Sequence, residues 1–108
     1  MTGQEKTRWK NWADDLRKTM MTGLTPQVTK SVESITAETA STKAESTLQS
    51  ARFWQSCQSG KSPNDFFTRA GFEIEFEEDD DRKVQEVTLR LNQTWMPILQ
   101  GAIDRKRA

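Results

Sequence analysis

The sequence predicts an all-α protein, with three to four amphipathic helices arranged as a helical hairpin or bundle. Two observations carry this expectation. Apolar residues recur at helical spacing through most of the chain, and glycine- or proline-containing corners fall between the periodic stretches. One signal competes. FEIEF (72–76) and VTLRL (87–91) alternate in the manner of strands, so a short β-hairpin at 72–91 stands as the alternative for that segment.

The expected elements follow in order within a single helical domain spanning 1–108. Over 4–22, Trp9, Trp12, Ala13, Leu16 and Met20 fall on one helical face, and Gly23 offers a stop. Thr25-Pro26 reads as a new start, with threonine as cap and proline at the first helical position. A long second helix is expected over 26–59. Val28, Val32 and Ile35 open its stripe, and Ala40, Ala44, Leu48, Ala51 and Trp54 resume it. Residues 60–63 form a corner, because Gly60 suits a left-handed helix end and Ser62-Pro63 suits a helix start. A second long helix is expected over 64–96. Phe67, Ala70, Ile74, Val84, Thr88, Leu91, Trp95, Ile98 and Ala102 share its heptad seam, interrupted near 77–82 by Glu77 and Asp81. Pro97 kinks or restarts it, leaving 97–108 as a C-terminal tail.

Composition limits the function classes. Of 108 residues, 33% are apolar and 30% charged, which suits a modest core finished by a partner or a surface. Four Trp and five Phe argue against a disordered chain. Sixteen basic and sixteen acidic residues balance to zero, so nothing favours nucleic-acid binding. The balance is local, not uniform. Basic residues crowd the start and close the chain, while seven acids lie between Glu73 and Asp81. The start carries no apolar run of signal-peptide type, and no segment has the length of a membrane span. With Cys57 as the single cysteine, the expected setting is cytosolic and reducing.

Catalytic and metal chemistry find little support. Gly60-Lys61-Ser62 mimics the end of a phosphate loop, but Gln55 stands where the first glycine is required and Pro63 replaces the helix continuation. Cys57 has no histidine to deprotonate it, since the chain contains none. The acids between Glu73 and Asp81 lack calcium-loop spacing, with Lys83 at a ligand position. No catalytic, cofactor-binding or metal residue is therefore expected, and the protein is not expected to be an enzyme. The Trp9/Trp12 face, flanked by Lys6, Arg8, Lys10 and Arg17, reads either as an interfacial helix or as a core-packing one.

The aromatic pair Phe53-Trp54 ending a long helix, the Ser62-to-Phe66 corner of Ser-Pro-x-Asp-Phe type, and a following helix running to Trp95-Met96-Pro97-Ile98 form an arrangement. From about Ala40 to Leu99 it resembles the phasins, proteins that coat intracellular polyester granules. The resemblance implies a small, cytosolic, non-enzymatic protein that oligomerises through helices. Phe53, Trp54, Phe66, Phe67 and Trp95 would then lie against polymer or partner helices. The alternative function is an adaptor or regulator, gripping a protein partner through the acidic segment or the Trp9/Trp12 helix.

Overall fold

The structure, a computed structural model, describes residues 3–41, 45–58 and 66–107. It is a mixed α/β arrangement, so the all-α expectation is overturned. The elements are α1 (Gly3–Thr22), β1 (Gln27–Ser31), α2 (Val32–Thr39), α3 (Glu45–Leu48), α4 (Ala51–Gln58), α5 (Phe66–Ala70), β2 (Phe72–Glu78), β3 (Val84–Leu91) and α6 (Met96–Arg107). The strands form an antiparallel sheet of order β1-β3-β2.

The first helix follows its apolar spacing. Trp9, Ala13 and Met20 are buried along one face, and α1 ends where the Gly23 amide bonds back to the Thr19 carbonyl at 2.9 Å. Thr25-Pro26 does not start a helix. The segment after it is extended, and the next helix begins at Ser31, whose hydroxyl accepts the Ser34 amide at 3.0 Å. The long helix expected over 26–59 is therefore replaced by a strand and the helices α2, α3 and α4. Ala40 closes α2 in the left-handed region, at φ 50°. The expected corner at 60–63 lies outside the described residues.

The helix expected over 64–96 is replaced by α5 and the β2/β3 hairpin, the alternative reading of 72–91. Phe72, Ile74 and Phe76 pair with Leu91, Leu89 and Val87. An extra residue in β3 then shifts the register, so that Glu78 pairs with Val84. This bulge keeps both Val84 and Val87 on the inner face although they lie three positions apart. Beyond β3, Met96–Arg107 is helical where a tail was expected.

The core fills the space between the inner sheet face and the helices. Val84, Val87, Leu89, Leu91, Phe72 and Ile74 meet Val32, Ile35, Leu48, Trp54, Cys57 and Phe67. Trp9 stands at its centre, with ring centroids 5.8 Å from Phe53, 6.5 Å from Trp54 and 5.9 Å from Phe67. The Trp54 indole N–H donates to the Leu48 carbonyl at 2.7 Å, which anchors the start of α4. No described helix is long and apolar enough to cross a membrane.

Candidate functional site

The residues expected to face a surface are brought together, but inward. Trp9 and Trp54 are fully buried, as is Phe67, and Phe53 is 7% exposed. Trp12 is half-buried and edge-on to Trp9 and Phe67. Five of the seven named aromatics thus form one cluster, because their helices α1, α4 and α5 pack together. Trp95 lies apart and half-buried, with the Arg17 guanidinium 4.4 Å from its ring centroid. Arg17 also donates to the Ala70 carbonyl at 2.6 Å and pairs with Asp14 at 3.2 Å. The side chain of Phe66 lies outside the described residues, as does Gly60-Lys61-Ser62. Cys57 is buried, and its carbonyl accepts the Thr68 hydroxyl at 3.2 Å.

What remains outside is the second face of the sheet. Alternation in β2 and β3 turns the apolar residues inward and, by the same geometry, Glu73, Glu75, Thr88 and Arg90 outward. No described helix covers this face at Glu73, Glu75 and Glu86, all exposed. The rows run across the strands. Arg90 lies between Gln27, whose side-chain Oε1 accepts its Nε–H at 3.1 Å, and Glu75, which it pairs at 2.7 Å. The hydroxyls of Thr29 and Thr88 are 3.0 Å apart. Thr29, Glu75, Glu77, Glu86 and Thr88 line a shallow depression of about 570 Å³.

The hairpin tip extends the acidic surface and fixes its shape. Asp79 Oδ1 accepts the amides of Lys83 at 2.8 Å and Asp81 at 2.9 Å, and its Oδ2 accepts the Gln85 side-chain amide at 3.1 Å. These donors, led by the Lys83 amide, hold the Asp79 carboxyl below its ordinary value of 3.8. Arg82 takes the left-handed region at φ 60°, and its amide bonds the Asp79 carbonyl at 2.9 Å. Asp79 therefore serves the turn, while Glu73, Glu77, Glu78, Asp80, Asp81 and Glu86 make no ion pair among the described residues.

These acids are strung along a strand and a turn. Among the described residues no three acidic or cysteine side chains converge on a point that could hold a metal ion. The arrangement offers an extended, rigid, anionic face with threonine hydroxyls beside it. Sequence reading missed Gln27, Thr29, Thr88 and Arg90 as parts of that face. The alternation in FEIEF and VTLRL was the signal that could have found the last two. Nothing local in QVTKS marks it as the third strand. No known family, curated protein or solved structure matches this chain.

Proposed function

We propose that the protein is an interaction module, an adaptor or regulator without chemistry of its own, whose acidic sheet face and hairpin tip grip a basic segment of a protein partner. The observation that supports this reading is the row of exposed carboxylates along β2 and the hairpin, of which Glu73, Glu77, Glu78, Asp80 and Asp81 make no ion pair among the described residues and only Glu75 is paired, with Arg90. Opposite charges placed on a rigid surface steer encounters and set orientation more than they add raw affinity. Such binding is screened by salt.

The polyester-coat reading asks for apolar rings at the surface. Trp9, Phe53, Trp54 and Phe67 fill the core in this fold, so among the described rings a coat activity would have to open the core or work through the half-buried Trp12 and Trp95. The discriminating experiment titrates a fluorescent Lys/Arg-rich peptide, and separately amorphous polyester granules, into the protein at low and high salt. The module reading expects saturable peptide binding that weakens steeply as salt rises. It also expects that binding to fall at least tenfold in a Glu73→Gln, Glu77→Gln, Asp80→Asn variant. Pelleting with granules at high salt, without peptide binding at low salt, would replace it with the coat reading.

A further inference from the structure

The two edges of the sheet differ in a way that selects one of them for pairing. β1 meets β3 with Gln27 opposite Arg90, Val28 opposite Leu89, Thr29 opposite Thr88 and Lys30 opposite Val87. The Leu91 amide bonds the Pro26 carbonyl at 3.0 Å, which makes Pro26 and Leu91 a hydrogen-bonded pair. Hydrogen-bonded pairs alternate along an antiparallel ladder. Val28 and Lys30 therefore turn their amides and carbonyls toward β3, and Gln27 and Thr29 turn theirs outward. Both of these residues are exposed, and among the described residues no backbone bond to either is present outside the β1/β3 ladder. Unpaired edge groups of this kind are a template for another strand.

The occupant that fits is a second β1. Charge decides between the edges. On β2, Glu73, Glu75 and Glu77 would face the same acids of a second copy, and like charges directly opposed are destabilising. On β1 the outer-face residues are Gln27, Thr29 and Ser31, all neutral. A two-fold axis through Val28 sets Gln27 against Thr29 of the other copy, and Thr29 against its Gln27, with each pair exchanging both of its backbone bonds. On the inner face Val28, half-buried in one copy, meets its own twin. The register is fixed by what flanks the strand. Pro26 has no amide to offer, and Ser31 already caps α2. A slip by two residues would leave a single outward pair.

We propose that β1 is the interface of a two-fold dimer in which two three-stranded sheets join into one continuous sheet, with both acidic faces on the same side. This rests on the strand edges and not on the function proposed above. The test is solution mass by light scattering and sedimentation across concentration, read together with amide exchange. The wild type is expected to reach twice the chain's 12.4 kDa, with the Gln27 and Thr29 amides protected from exchange. Thr29→Pro removes an outward amide while leaving the β3 ladder intact, and is expected to be a folded monomer. Two further variants guard against misfolding. Gln27→Glu with Thr29→Glu opposes like charges across the axis and is expected to be monomeric. Gln27→Glu with Thr29→Lys opposes unlike charges and is expected to stay dimeric. A wild type that remains monomeric at every concentration overturns the proposal. So does a dimer whose mass is unchanged in both Thr29→Pro and the double-glutamate variant.

Discussion

Gly71 shows how tightly a single position can be specified. Its φ of 105° is open to glycine and rarely adopted by other residues, and a Cβ there would run into the Trp95 indole. The residue joins α5 to β2, and its carbonyl accepts the Asn92 amide at 2.9 Å, so it also ties the end of β3. Gly71→Ala therefore adds backbone strain and a steric clash at once. A loss of about 3 kcal/mol is expected. Urea unfolding would measure it, and a midpoint within error of wild type would refute the account. Asp79 makes a different demand, for a charged acceptor. Its carboxyl is held below 3.8 by the amides it accepts, so its contribution is fully present above that value and is lost as the pH falls through the lowered pKa. Amide exchange at Asp81 and Lys83 is expected to accelerate, relative to the sheet, when the pH drops below 3.8. Asp79→Ala should show that faster exchange even at neutral pH. Asp79→Asn, which keeps an acceptor oxygen, should lie between.

At the scale of elements, the bulge in β3 explains both a structural feature and a failure of sequence reading. Val84 and Val87 are separated by Gln85 and Glu86, and both point into the core because one of those two residues is extra. The resulting spacing of three, continued by Trp95 and Ile98, imitates a helical seam. It outweighs the strict alternation of Phe72, Ile74 and Phe76. The second reason is distance along the chain. A lone hairpin is marginal in water, and the strand that completes the sheet, Gln27–Ser31, carries one large apolar residue and sits behind a Thr-Pro pair that reads as a helix start. Helix α1 was legible because its apolar face is continuous; the sheet was not, because its pairing is long-range. The bulge also makes a prediction with two arms. Deleting Glu86 alone leaves Val-Gln-Val, which alternates correctly without a bulge, and both valines stay inside. Deleting Gln85 and Glu86 together places the valines side by side and turns Val84 to solvent. The single deletion is expected to retain cooperative unfolding with a small shift. The double deletion should lose roughly the 1.5–3 kcal/mol of a buried valine. If the single deletion is the more damaging, the bulge is required for some purpose beyond facing Val84 inward.

For the molecule as a whole, the division of labour between its aromatics and its charges decides which surfaces are available to a partner. A chain this short buries a modest core, and here much of that core is aromatic. Trp9 joins three of the elements that make it, since Phe53 and Trp54 come from α4 and Phe67 from α5. The basic stems around it serve packing too, as Arg8 reaches from α1 to the Thr39 and Ala40 carbonyls at the end of α2. The polar work at the surface falls to the sheet face and hairpin, where the carboxylates are exposed. Trp9→Ala is therefore expected to behave as a core truncation. Removing a buried tryptophan costs about 3–5 kcal/mol, against a total of about 5–15 kcal/mol for domains of this kind. Ile98, 50% exposed on α6, is the control, and Ile98→Ala should change stability by less than about 1 kcal/mol. The measurement is urea unfolding of both variants beside peptide binding and granule pelleting under conditions where each remains folded. A core role for Trp9 requires a large drop in the unfolding midpoint, with peptide affinity unchanged wherever the fold persists. A Trp9→Ala protein that keeps its stability but loses an affinity would instead place that indole at a binding surface, and would return the aromatic helix to the centre of the functional question.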